Sequence, residues 1–346
     1  MTTPLFQPRR ALGRTGFVAT ILGIGDLADR QLSLQQLVTT VRRALDAGLN
    51  LIDTAPGYEA GYSEQIVGQA LKGHRDGVFV VDKIDSLDQP VAPQIESSLT
   101  RLQMDYTDLF VFHNLSTLEA WSHITAPGGG MEQLDQAIRA GKTRFKGISS
   151  HRSEVLAAAI PSGLVDVVMF PVGPYVDQRY IEEILPLARA YHVGTVCFKT
   201  FGAGKLLGDT SGYNQPLQEW PGGMHRAGGQ GPLLPHLSVE QCVHYTLTCD
   251  PDVALLGLSD PGEQDAACAA ARAFATPLDA AQMATIRHLA VAAVAHKGPC
   301  RWNPSEPGEH HVAPSSDLNL KERLPRRIHR DARCRDVARD VGEELA

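Results

Sequence analysis

Short apolar runs and longer amphipathic stretches alternate along most of the chain. The runs are ATILGIG (19–25), NLIDT (50–54), VFVVDK (78–83), DLFVFHN (108–114), RFKGISS (144–150), VDVVMFP (165–171), GTVCFKT (194–200) and VALLGLS (253–259). Their length and their Val, Ile and Phe content predict eight strands. Between them, LSLQQLVTTVRRALDAG carries apolar residues at helical spacing and closes at Gly48. SEQIVGQALKG opens with Ser63 as N-cap and closes at Gly73. PQIESSLTRL, MEQLDQAIRAG, SEVLAAAI, QRYIEEILPLARAYHVG and LSVEQCVHYTLT fill the next gaps, and DAAQMATIRHLAVAAVA (279–295) follows the last strand.

Strands that are apolar at nearly every position are buried on both faces, as in a parallel sheet clothed by helices. The pattern predicts an α/β fold of the TIM-barrel kind, a closed (β/α)8 barrel. A doubly wound open sheet is the alternative, because counting strands does not reveal closure. Two stretches break the alternation. Residues 202–237 are Gly- and Pro-rich and read as a long loop after the seventh strand. Residues 297–346, opening KGPCRWNPSEPGEHH, read as a C-terminal extension or partner-ordered tail on a barrel domain spanning 1–296. A plain barrel needs about 250 residues, so the 346 present describe one domain with two appendages.

Composition narrows the function. With 43% hydrophobic and 21% charged residues the chain is globular, and a net charge of −7 offers no basic face for nucleic acid. The start MTTPLFQPRR lacks the features of a signal peptide, and no run approaches the roughly 20 apolar residues of a membrane span. Six cysteines without a C-x-x-C pair read as reduced, so a cytoplasmic location is expected, with no membrane partner. Neither His310–His311 nor the other Cys and His have metal-ligand spacing, and no metal is expected. GIGDLA (23–28) and FGAGKL (201–206) only approach phosphate-loop motifs; a Rossmann helix would have to start at once, and here it starts near Ser33. Gly25 is better read as room for a ligand above a strand end.

A parallel barrel presents its chemistry on the C-terminal rim. The second strand ends in Asp53, the third in Lys83 and the fourth in His113, while Tyr58 follows the second in APGYEAGYSE. A tyrosine with pKa about 10 is a poor acid at neutral pH. An ammonium beside it is expected to lower that pKa, and a carboxylate beyond holds the ammonium in place. Tyr58 with Lys83 and Asp53 therefore reads as a tuned proton donor, with His113 polarising the same carbonyl oxygen. Such an acid lacks a nucleophile, which implies hydride from a cofactor.

GLNLIDTAPGYEAGYSEQIVGQALKG (48–73), VFVVDK, DLFVFHN, KGISS (146–150) and FKTFGAGKLLG (198–208) together resemble the aldo-keto reductase superfamily, in order, from about Arg10 to about residue 295. The resemblance implies a (β/α)8 barrel, a nicotinamide cofactor without a Rossmann domain, and reversible carbonyl reduction with Asp53, Tyr58, Lys83 and His113 as the tetrad. It implies Ser149 at the nicotinamide carboxamide, with Ser150 where the family usually has Asn, and Phe198 stacked on the nicotinamide ring. Met169 stands where the family usually has Gln. Lys199, Thr200, Phe201, Gly202, Gly204 and Lys205 match the loop around the pyrophosphate. Leu258, Ser259, Asp260 and Gln264 fall in the adenosine segment, where the family's basic residues for a 2′-phosphate are missing. NADP(H) is the family norm, but Asp260 and Asp265 would repel that phosphate and accept from a ribose 2′-hydroxyl, which makes NAD(H) the alternative. Tyr62, Trp121, Tyr213 and Trp220 are candidate walls for a small-molecule carbonyl or alcohol substrate. Two competing functions use the same barrel: a redox-assisted elimination or isomerisation, and a nucleotide-sensing regulator.

Overall fold

The chain begins with an antiparallel pair, β1 (Arg9–Ala11) and β2 (Val18–Thr20), and then lays down β3 (Leu22–Ile24), β4 (Leu51–Asp53), β5 (Phe79–Ile84), β6 (Thr107–Phe112), β7 (Thr143–Ser149), β8 (Val167–Pro171) and β9 (Gly194–Phe198). A second antiparallel pair, β10 (Leu217–Trp220) and β11 (Met224–Ala227), precedes β12 (Val253–Leu256). The structure, a computed structural model, describes residues 6, 8–30, 32–207, 217–220, 224–227, 234–257, 261–295, 297 and 300–303, with backbone alone for 217–220 and 224–227. Eight parallel strands close in the order β12-β3-β4-β5-β6-β7-β8-β9. The barrel is therefore the fold, and the open-sheet alternative falls.

The helices are α1 (Leu34–Asp46), α2 (Tyr62–Leu71), α3 (Val91–Leu102), α4 (Leu118–Thr125), α5 (Gly130–Arg139), α6 (Ser153–Ala159), α7 (Leu185–Ala190), α8 (Val239–Cys249), α9 (Pro261–Ala273) and α10 (Ala280–Val294). Ser33, Ser238 and Asp279 each form a capping box with a Gln three residues on, which ends the chain's extended path at a defined residue. Ser63 does not cap α2. That helix starts one residue earlier, behind Gly61 at φ 81°, and Ser63 Oγ instead accepts from the Thr54 hydroxyl at 2.9 Å.

Alternation along each strand divides the core. Leu51, Phe79, Val81, Leu109, Val111, Val167, Met169, Val196, Val253 and Leu255 fill the barrel interior. The residues between them, such as Ile52, Val80, Phe110, Phe112 and Val168, face the helices. The run ATILGIG is not one strand: Val18–Thr20 pairs backward with β1, and only Leu22–Ile24 joins the barrel. Leu12 and Ala19 from this hairpin join the interior cluster, and Phe17 packs 5.0 Å from Phe79 and so closes the N-terminal end. The segment 202–237 is not structureless either, since it carries the β10–β11 hairpin. Beyond α10, Trp302 is buried, and its carbonyl accepts from Asp177 N at 3.3 Å, so the chain past residue 296 first packs on the barrel. Residues 304–346, most of the expected extension, lie outside the described residues.

Candidate active site

The inward positions that are apolar through the barrel turn polar at its C-terminal rim. After Leu51 comes Asp53, after Phe79 and Val81 comes Lys83, after Leu109 and Val111 comes His113, and after Gly147 comes Ser149. Lys83 Nζ donates to Asp53 Oδ1 at 2.6 Å and to Thr54 O at 2.7 Å, with its side chain only 2% exposed. The turn after β4 folds Tyr58 back over this pair. Lys83 Nζ lies 4.4 Å from the Tyr58 ring centroid, and the His113 ring meets that of Tyr58 edge-on at 5.6 Å. The four residues expected to act together do meet.

One electrostatic expectation reverses. Burial pushes the Tyr58 phenol up to about 12, because desolvating a phenolate outweighs the attraction of Lys83, and the Asp53 charge adds to the rise. Burial also raises Asp53, against the pull of Lys83. For Lys83, burial opposes the charge, but Asp53 and Tyr58 more than compensate and hold the amine as an ammonium. Tyr58 thus keeps its proton through the neutral range.

One residue earlier on β5, Asp82 points the other way. Its Oδ1 accepts from Lys83 N at 2.7 Å, while Oδ2 is buried without a hydrogen-bond partner among the described residues. Burial raises its pKa well above the usual carboxylate range, and the nearby Glu64 raises it further. Glu64 is itself fully buried and is gripped by Arg101, whose Nε and Nη2 donate to its two carboxylate oxygens.

The expected cofactor residues separate into groups. Ser149 Oγ accepts from Asn114 N at 2.7 Å, which leaves its own proton for a ligand. Ser150 turns away: it is fully buried, and its hydroxyl donates to Leu115 O at 2.6 Å, so it is spent on the loop. Met169 lies in the interior cluster beside Ser149 in register. Gly25 donates to Leu256 O at 2.8 Å at the rim. Phe198 ends β9, and Lys199 follows it at φ 79°. In the next turn Gly202, Gly204 and Lys205 donate their N–H groups to Lys199, Phe201 and Gly202 carbonyls, which removes them from service as anion ligands. Lys199 and Lys205 nevertheless bring their ammonium groups to 4.9 and 5.5 Å from the Trp302 ring, and Thr200 Oγ1 is buried with no partner among the described residues. Two cations gathered on one ring, together with an orphaned hydroxyl in the same turn, are of the chemistry that suits a pyrophosphate.

Gln264 is held by α1, donating to Thr40 O at 2.7 Å and accepting from Arg43 at 2.9 Å. Its neighbour Asp265 pairs with the same Arg43 at 2.7 Å. Leu258, Ser259, Asp260 and Tyr213 lie outside the described residues, as does the side chain of Trp220. Tyr62 stands at the start of α2 with Arg30 4.9 Å above its ring. Trp121 does not belong to the rim; it is buried on α4 in the apolar layer between helices and barrel.

Sequence reasoning missed two rim residues. Asp85, in the turn after β5, places Oδ1 2.5 Å from His113 Nδ1. His151 packs 5.2 Å from the Phe198 ring, its Nδ1 3.1 Å from Asn114 Oδ1. Burial, then the Lys199 and His113 charges, push His151 down to about 3, so it is neutral. The signal for His151 was its place directly after the strand-ending serines of KGISS. Asp85 had none, since its partner is 28 residues away.

Among the described residues no helix is long and apolar enough to cross a membrane, and no group of His, Cys, Asp and Glu is arranged to hold a metal ion. A model of the aldo/keto reductase family matches residues 20–225. Among curated proteins, the aldo-keto reductase YhdN of Bacillus subtilis is 30% identical over 222 residues, covering 57% of this chain and 63% of that protein. The NADH-specific methylglyoxal reductase of Escherichia coli is 27% identical, covering 59% of this chain and 68% of that protein. The chain thus spans a little under two thirds of the first of these relatives. Among solved structures, the holo form of the aldo-keto reductase AKR11C1 from Bacillus halodurans aligns with a TM-score of 0.62 at 26% identity, over 84% of this chain and 98% of that one. An aldo-keto reductase from Klebsiella pneumoniae in complex with NADPH shares the fold at a TM-score of 0.62 and 20% identity, over 82% of this chain and 95% of that one.

Proposed function

The chain belongs to the aldo-keto reductase family, and from that premise we propose that it interconverts a small-molecule aldehyde or ketone and its alcohol using a nicotinamide dinucleotide. The observation that carries this reading is the buried Asp53–Lys83 ion pair set against Tyr58, with His113 beside them at the C-terminal rim. When bound, the cofactor supplies or accepts the hydride. Ser149 would donate to its carboxamide, Phe198 would lie against its ring, and Lys199, Lys205 and Thr200 would hold its pyrophosphate.

The protein's part in reduction is proton delivery. Tyr58 O–H donates to the carbonyl oxygen as negative charge develops there. The phenolate left behind would be expensive in a buried site, and the Lys83 ammonium stabilises it at short range. Asp53 keeps that ammonium charged and aimed, and also lowers its net attraction for the phenolate, so the proton returns readily to Tyr58. His113 touches the same oxygen from the other side.

The adenosine segment supports use of NADH. Arg43, the cation nearest Gln264, is already paired with Asp265. A 2′-phosphate would have to displace that carboxylate, whereas a 2′-hydroxyl would not. The test is a panel of aldehydes, ketones, aldoses and lactols, assayed with each cofactor in both directions by cofactor absorbance. Turnover of none of them overturns the reading. Asp265→Ala, by releasing Arg43, is expected to shift the kcat/KM ratio toward NADPH by about 2- to 5-fold, the scale of an exposed ion pair.

A further inference from the structure

His113 and the Tyr58 turn are joined by a side chain that the tetrad does not include. Asp85 lies one residue past β5, with Oδ1 2.5 Å from His113 Nδ1. Its other oxygen rests against Gly57: a Cβ added there would meet Asp85 Oδ2 at 2.7 Å. The residue before Tyr58 therefore has to lack a side chain for the carboxylate to fit. Asp85 sits between the loop carrying the acid and the ring that shares its target.

A carboxylate only accepts hydrogen bonds, so the proton in this contact belongs to Nδ1. An imidazole has two nitrogens, and fixing the proton on one decides what the other does. With Nδ1 protonated, Nε2 of the neutral ring is a bare lone pair. It can accept from a hydroxyl but cannot donate to a carbonyl; only the doubly protonated ring does that. We propose that Asp85 is a positioning residue that locks His113 in the Nδ1–H form and orients Nε2 toward the reacting oxygen.

This changes the job assigned to His113. In its neutral form it receives a hydrogen bond, from the Tyr58 hydroxyl or from an alcohol substrate, and so aligns the proton that moves. A doubly protonated ring would instead donate to the carbonyl. Without Asp85 the neutral ring is free to adopt the Nε2–H form and to swing about its own axis, which misaligns the transfer. The inference rests on the proposed carbonyl chemistry for its catalytic consequence but not for the tautomer itself.

Both parts are measurable. Nitrogen-15 spectra of histidine-labelled protein, with the His113 signal identified by its loss in His113→Gln, should show neutral His113 protonated at Nδ1. Asp85→Ala should convert it to the Nε2–H form and lower kcat about 10- to 100-fold, the range for outer partners that orient a working imidazole. The KM for cofactor should hold. Asp85→Asn, whose amide oxygen still accepts, should keep the Nδ1–H form and fall between the two in rate. Wild-type His113 protonated at Nε2, or Asp85→Ala with full turnover, overturns the proposal. If Asp85→Ala turns over normally while Tyr58→Phe is dead, only this inference fails. If the wild type reduces no carbonyl, the proposed function fails instead, and with it the catalytic half of this one.

Discussion

Asp82 and Lys83 are adjacent in sequence and fully buried, yet they belong to two different chemistries. On the inner face of β5, Lys83 meets one carboxylate, Asp53, and then Tyr58 and His113, which open toward the mouth of the barrel. On the outer face, Asp82 meets a second carboxylate, Glu64, which is ion-paired with Arg101, 28% exposed at the helix surface. The inner set balances its charges and sets the Tyr58 phenol against the Lys83 ammonium. The outer set lies on residues of β5, α2 and α3, with one Asp82 oxygen unpartnered among the described residues. Burial of charge by itself does not mark a site. What separates the inner set is a phenol proton placed beside an ammonium that stabilises its loss.

Four substitutions sharpen or break this contrast. The largest effect should come from Tyr58→Phe, which removes the hydroxyl that carries the transferable proton: kcat should fall by about 10²- to 10⁴-fold, with cofactor affinity by fluorescence titration unchanged. An undiminished rate would dissolve the distinction between the faces. Lys83→Met should damage both properties, ending turnover and costing about 3–5 kcal/mol in denaturant unfolding, because Asp53 is left buried and unpaired. Arg101→Met strips the outer set in the same way, leaving Glu64 unpaired, and should cost about 2–4 kcal/mol. Its rate per folded molecule should stay native; a matching loss of kcat would show that the outer face feeds the inner.

Asp82→Asn should have the smallest effect, and of opposite sign. Its folded pKa is raised, so the stability that the protonated acid contributes is complete below the unfolded value of about 3.9 and is lost as pH rises through the folded one. The amide carries no charge to bury and can donate toward Glu64. Thermal unfolding should therefore lose part of its decline on the alkaline side, a gain on the order of 1 kcal/mol there, with kinetics unchanged.

The barrel was legible in the sequence because strands buried on both faces are apolar at nearly every position. Legibility failed where one run served two partners: nothing in ATILGIG marks Ile21 as the boundary between β2 and β3. It failed again at α4 and α9. LEAWSHIT is short, and PGEQDAACAAARA turns a stripe of alanines to the barrel, which pattern reading hardly distinguishes from background. The tetrad positions stood out because polar residues terminated apolar runs. What the sequence could not convey was orientation beyond those ends. Ser149 and Ser150 are chemically identical there, yet one hydroxyl accepts from Asn114 N and the other donates to Leu115 O. The reversal at Tyr58 has a similar origin, since the sequence names the neighbouring charges but not the depth at which they act.

The hairpin at the foot of the barrel has a consequence for traffic. With Leu12, Phe17 and Phe79 closing that end and apolar side chains packing the interior, the rim is the side from which the described residues leave Lys83 and Tyr58 approachable. On the proposed chemistry, a cofactor and a substrate meeting at Tyr58 would share that approach, and each would partly block the other's path. The order of arrival and departure then becomes part of the rate, and a product slow to leave would make the doorway, rather than the proton, the bottleneck.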